Sequence, residues 1–264
     1  MSTRVCACVA LSVLVAGCAD QPQATGPVDL RTAMGVQDVN PVGVAVDPTG
    51  ARYVFDEYAG LYRVDGDAAE LVLAVEALPQ PAVAALQPFT DLVAMGEGRF
   101  AITAIGDGYL LDLAAHTMNQ YFCYEPSELP TDQRQRTNAV AYDAAADRLY
   151  AQPRTLDATG TLVRSQLAAY SGATGIDLDW HDLGDDIDAG GMAVVAGHGL
   201  VVGNGSKLYR YDPTASGDAS LVELDDLARL GIGAIAGLAV EGDHLLVLDR
   251  DHDTLTPVAL PAAH

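Results

Sequence analysis

Five segments of this sequence repeat one short phrase: GVAVDPTGARYVFD from Gly43, LVAMGEGRFAIT from Leu92, AVAYDAAADRLYAQ from Ala139, GMAVVAGHGLVVGN from Gly191 and GLAVEGDHLLVLD from Gly237. They align on an alanine, Ala45, Ala94, Ala141, Ala193 and Ala239, at intervals of 49, 47, 52 and 46 residues. In each, a run of alternating small and apolar residues meets a turn rich in Gly, Asp or Pro and then a second run of Val, Leu, Ile and Tyr, which is the pattern of a β-hairpin. A unit of this length matches a four-stranded propeller blade, about 40–50 residues with its loops. A third strand is legible in LYRVD from Leu61 and LYRYD from Leu208, the same phrase 147 residues or three repeats apart. The expected fold is therefore all-β: a single propeller of about five four-stranded blades, or six if Pro79 to Phe89 contains strands. The alanines are expected where the innermost strands converge on a central channel and larger side chains would collide.

The last unit offers only three strands, Gly237 to Val240, His244 to Asp249 and Thr254 to Leu260. The segment Val28 to Met34 precedes the first unit and has no blade of its own. It is expected to supply the missing outer strand of the last blade, which would close the ring and remove exposed sheet edges. Residues 28–264 then form the propeller domain.

Ahead of that domain lies a different kind of segment. Arg4 flanks an apolar run from Val5 to Val15, too short for the roughly 20 residues that cross a bilayer, and small residues follow at Ala16-Gly17. This is the grammar of an export signal, residues 1–17. Val15-Ala16-Gly17-Cys18 resembles the bacterial lipobox, which implies lipidation at Cys18 and attachment to a membrane of the cell envelope through two or more acyl chains. In such lipoproteins an aspartate directly after the cysteine favours the inner membrane. Ala19 stands in that place here and Asp20 follows, which leans toward the outer membrane. Residues 18–27 read as a flexible tether.

Loss of Arg4 with the signal would take the formal net charge from −22 to −23. Such a surface repels phosphate backbones, which argues against nucleic acid as a partner. Half of the residues are apolar, enough for one large core. Only Cys123 would remain in the exported chain, set between aromatics in YFCY, so no intramolecular disulfide forms and the thiol reads as a small buried hydrophobe.

Pro41-Val42-Gly43-Val44-Ala45-Val46-Asp47-Pro48-Thr49-Gly50 followed by Tyr53-Val54-Phe55-Asp56 resembles a blade of the NHL and SMP-30/gluconolactonase-like propellers; the later blades match in outline. That resemblance implies a divalent cation in the channel, usually calcium, on carboxylate and amide oxygens. Asp91, Asn138, Asn204 and Asp56 are the residues of this chain that could form such a set, with Gln152 and Asp249 at related places in the repeat. The family also carries a glutamate early in its first blade, and the corresponding VQDVNPVG has none.

Other patterns carry less. Asp249-Arg-Asp251-His-Asp253 begins like a calcium-binding EF-hand loop, but its sixth position is Thr254 and its twelfth Leu260, so it reads as a turn. The acidic run from Asp177 to Asp188 reads as an exposed connector. Gly231-Ile-Gly233-Ala-Ile-Ala236 fits a dinucleotide fingerprint, but an inner strand rather than a helix follows it. There is no nucleophile elbow, P-loop or zinc-protease helix, and the six histidines are scattered. With no catalytic residue marked, the first expectation is a lipid-anchored, non-enzymatic module that binds a protein or small ligand on one propeller face. The alternative is a divalent-metal-dependent hydrolase of the SMP-30/gluconolactonase type, and the third an envelope assembly scaffold.

Overall fold

The computed structural model describes residues 26–78, 88–104, 107–123, 130–184 and 187–260. The chain begins with a strand, β1 (Val28–Asp29), and a one-turn helix, α1 (Leu30–Met34). Four-stranded antiparallel blades follow in sequence order. Blade 1 is β2 (Pro41–Val46), β3 (Arg52–Asp56), β4 (Gly60–Asp65) and β5 (Ala68–Ala74), and blade 2 is β6 (Phe89–Gly96), β7 (Arg99–Ala104), β8 (Asp107–Asp112) and β9 (Thr117–Cys123). Blade 3 is β10 (Arg134–Asp143), β11 (Arg148–Leu156), β12 (Leu162–Ser171) and β13 (Asp177–Asp182), and blade 4 is β14 (Gly191–Val195), β15 (Gly199–Asn204), β16 (Lys207–Tyr211) and β17 (Leu221–Asp226). Blade 5 takes β18 (Ile235–Glu241), β19 (His244–Asp249) and β20 (Thr254–Ala259) from the end of the chain and β1 from its start. The protein is a five-bladed β-propeller.

Local chemistry sets the hairpins. In the first turn the Asp47 Oδ1 atom accepts from the backbone N–H of Thr49 at 2.8 Å and of Ala51 at 3.0 Å, and Gly50 takes a φ of 85°. Asp157 and Asp212 repeat this arrangement with Thr159 and Thr214. An aspartate that satisfies its own turn explains why so many of the chain's acids lie between strands.

Between neighbouring blades lie five apolar layers. Phe55, Leu61, Phe89 and Leu92 fill the layer between blades 1 and 2, and Val28, Leu30, Val44, Ala239 and Leu246 the one between blades 5 and 1. Ala45, Ala141, Ala193 and Ala239 all sit in the layer toward the following blade. Ala94 does not: it packs with the blade 1 layer, and Val93 takes the equivalent place toward blade 3. The bulge at Phe89/Asp91 is shared with β2 and β18, but β6 carries a second one, between Ala94 and Gly96, that β2 and β18 lack. The repeated alanines thus thin the sheets for blade-on-blade contact rather than clear the channel. The closest approach of the inner strands lies two residues earlier, at Gly43, Gly191 and Gly237. A Cβ on Gly191 would stand 2.6 Å from the Gly237 Cα, and one on Gly237 would stand 2.9 Å from the Val44 nitrogen.

The N-terminal segment closes the ring, but with less strand than expected. Val28 pairs with Leu255 and Asp29 with Thr254, after which the chain turns into α1 instead of continuing as strand. Asp29 causes the change, because its carboxylate caps the helix by accepting from the Thr32 N–H at 2.9 Å. The acidic run also differs from expectation. Asp177 to Asp182 is β13, the outermost strand of blade 3, where alternate acids face solvent along a sheet edge. The Gly231 pattern ends a turn at a φ of 81° and leads into β18, as its reading against a nucleotide site requires. Among the described residues no helix is long and apolar enough to cross a membrane. Residues 1–25, with Cys18, and most of the Pro79 to Phe89 stretch lie outside the described residues, as does the side chain of Cys123.

Candidate functional site

At one end of the channel the inner strands begin and the second strands finish. Bulges interrupt β2, β6, β10 and β18 there, and a bulge leaves ladder N–H groups in need of other acceptors. Asp91 meets that need, and the other candidate carboxylates satisfy strand entries and turns. Asp91 lies inside β6, 1% exposed, with Oδ1 accepting from the Leu92 N–H at 2.8 Å and Oδ2 from the Val140 N–H of blade 3 at 2.9 Å. Burial pushes its carboxyl well above the usual range, against the pull of those two amides. Asp56 ends β3 and accepts from the N–H groups of Asn40, Tyr58 and Ala59. Asp249 is its counterpart in blade 5, accepting from Ala234, Asp251 and Gly233.

The side-chain nitrogens of two amides are engaged as well, while the Gln152 Oε1 is buried with no partner among the described residues. The Asn138 side-chain nitrogen donates to Asp188 and, at 3.3 Å, to the Ala189 carbonyl. Gln152 donates to the Ser165 hydroxyl at 2.6 Å and to the Ile187 carbonyl at 3.0 Å. Asn204 ends β15, half-buried and in register with Lys207. A calcium ion needs six to eight oxygens with free lone pairs aimed at one point. Here the oxygens of Asp56 and Asp91 are directed at backbone amides, and among the described residues no three acids, histidines or cysteines gather around a common point. The four candidates lie toward one end of the ring, where Asp56 and Asp91 direct their oxygens at backbone amides.

Above this layer stands a basic one that the sequence did not single out. The strands β10, β11 and β12 run 10, 9 and 10 residues, against 5 to 8 for the inner strands of the other blades. The extra three or so residues lift the blade 3 hairpin by roughly 10 Å beyond the channel end. Arg136 and Arg154 are direct cross-strand partners in that extension. Arg154 pairs with Asp188, the acid that also takes Asn138. Arg136 has no carboxylate within ion-pair distance among the described residues, and its Nε and that of Arg154 are buried without a hydrogen-bond partner. Burial lowers the Arg136 pKa from its ordinary value, and the nearby Arg154 and Arg250 add to that, while Asp188 and Glu57 oppose it. Arg250 belongs to blade 5 and Glu57 to blade 1, so Arg136 feels charges across the channel. Glu57, bonded to the Asn40 amide, is itself pushed up by burial and drawn down by Arg136. No motif announces this cluster, since its three arginines lie 18 to 114 residues apart in the sequence.

The same end carries one histidine in a defined setting. His252 Nδ1 lies 2.6 Å from Asp249 Oδ2, with the ring 59% exposed and the carboxylate 1% exposed. The hydrogen bond to Asp249 and its charge raise the His252 pKa. Burial of Asp249 is outweighed by the bond to His252 and by three backbone amides, which hold its carboxyl below the usual range. The false EF-hand loop is thus an Asp-centred turn that orients an imidazole.

No family model matches the chain, and no curated protein sequence matches it. Solved structures do. A gluconolactonase of Xanthomonas campestris superposes with a TM-score of 0.51 at 16% identity, over 84% of this chain and 72% of that one. A calcium-binding protein of Agrobacterium tumefaciens, regucalcin, gives 0.48 at 14% identity over 89% and 93% of the two chains, and a luciferin-regenerating enzyme gives 0.49 at 14% over 92% and 80%. At these identities the likeness is one of fold.

Proposed function

We propose that the protein is a ligand-binding propeller whose working face is the channel end beneath the blade 3 hairpin, held at the cell envelope by a lipid on Cys18. One observation carries the binding reading: the oxygens of Asp56 and Asp91 that a calcium-dependent hydrolase would need are turned to backbone amides, those of Asp56 to Asn40 and the β3–β4 turn and those of Asp91 to β6 and β10. A small ligand suits the channel end, whereas a polyanion would meet a chain of net charge −22. Use of the same face to hold a protein partner, or to scaffold an envelope assembly, is compatible with the tether and has no feature in the ring that favours it.

Hydrolysis is the second reading, and the fold likeness to a gluconolactonase favours it over binding alone. Within this chain the His252 and Asp249 pair is the feature that goes with it, because an oriented imidazole at a channel end is the usual form of a general base. Thermal unfolding in excess EDTA and then in millimolar Ca²⁺, followed by a lactone hydrolysis assay, separates the two. A ligand that binds only the folded state raises the melting temperature by mass action. No shift and no turnover is the expected result. A calcium-dependent rise together with lactone turnover would transfer the function to the hydrolase.

A further inference from the structure

We propose that the channel end holds a small oxyanion, a carboxylate or a phosphate, gripped by Arg136 and Arg154 with Arg250 facing it from blade 5. The inference rests on the ligand-binding reading above and names the chemistry of the ligand.

Two arginines placed directly opposite on neighbouring strands repel each other, and this pair is also partly desolvated. Such an arrangement persists where something of opposite charge joins it. Asp188 pairs with Arg154 through Nη1 and accepts from Asn138, and it forms no ion pair with Arg136 among the described residues. Among the described residues the Nε atoms of both arginines are buried with no acceptor, although buried donors are ordinarily paired. An anion between the two guanidinium groups would supply acceptors and charge together, and the planar fork of arginine matches the two oxygens of a carboxylate or phosphate.

Arg136 feels two like charges, Arg154 and Arg250, beside the two acids Asp188 and Glu57. Asp91 lies below them in β6. Because the surrounding surface is acidic, an extended polyanion is repelled at long range, and a compact anion is the ligand this site can admit.

Isothermal titration calorimetry of the full chain at low salt tests this with sodium phosphate, gluconate and succinate in separate runs. The expected result is saturable one-to-one binding of at least one of them, weakened tenfold or more by Arg136→Gln and by Arg154→Gln, and unchanged by Arg164→Gln on the outer side of blade 3. Phosphate alone or the carboxylates alone would each support the site and identify its source. Arg136→Gln removes a like charge from its neighbour, so its melting temperature should not fall, and Arg136→Lys keeps the charge without the fork and should bind weakly. No saturable binding of any probe, or binding indifferent to Arg136→Gln, overturns the oxyanion site and leaves the binding reading to the calcium and lactone assays. Lactone turnover would overturn the binding-only reading while an Arg136→Gln effect on anion binding still upheld this site.

Discussion

Asp91 occupies the place in blade 2 that glycine takes at Gly43, Gly191 and Gly237, and it uses that place to tie two inner strands together. Asp91→Asn would keep the shape but set an NH₂ group against an amide N–H. The expected loss is about 1–3 kcal/mol, read as a lower urea midpoint with an unchanged slope. In the folded ring Asp91 holds its proton above the ordinary 3.8. Its contribution is therefore complete below 3.8 and is lost as pH rises through the raised value. The pair at the blade 5 turn brackets a different window. His252 is raised above 6.5, so its contribution is complete below 6.5 and disappears as pH rises through the raised value. Asp249 is lowered, so its contribution is present above 3.8 and is lost only as pH falls through the lowered value. His252→Ala should accordingly flatten the decline of melting temperature as pH rises above 6.5, as followed by circular dichroism.

Among the elements, β1 and α1 do more than their length suggests. Two strand residues pair with β20, yet Leu30 beside them is 0% exposed and sits in the layer between blades 5 and 1. The Arg31 guanidinium reaches Asp253 with Nε at 2.8 Å, and the Leu30 N–H donates to the Asp253 carbonyl at 3.0 Å. Leu30→Ala should cost about 2–5 kcal/mol through lost burial and the cavity left behind, and calorimetry should show the whole ring melting earlier rather than one end fraying. The long hairpin of blade 3 behaves differently, because it stands clear of the ring and carries its charge outward over the channel.

Ring closure is a property of the whole molecule. Arg52 of blade 1 and Glu241 of blade 5 form a two-pronged pair at 2.5 and 2.6 Å, with residue exposures of 6% and 9%. It joins the first complete blade to the last beside the apolar seam. A buried pair adds little over apolar packing, but stranding one partner is costly. Glu241→Gln should therefore destabilise the ring by about 3–5 kcal/mol in chemical denaturation, whereas Lys207→Ala, which breaks the exposed pair with Glu223, should change it by less than about 1 kcal/mol. Comparing the two separates closure from surface charge.

Much of the architecture was legible in the sequence because hairpin patterning and repeat length are local: the five repeats, the third strands at Leu61 and Leu208, and the N-terminal segment borrowed by the last blade all follow from spacing and alternation. The faults of that reading are also local in origin. In β6, which carries a second bulge beside its turn, the blade 2 position falls on Val93 instead of Ala94, and a capping aspartate turned most of the expected closing strand into α1. Charge along β13 hid a sheet edge in an acidic run. The working end of the ring was not legible. Whether Asp91 and Asp56 serve a ligand or a bulged backbone depends on which N–H groups the assembled strands leave unpaired. Arg136, Arg154 and Arg250 become neighbours only when blades 3 and 5 face each other across a closed channel. Periodicity determined the ring, and closure decided which charges meet inside it.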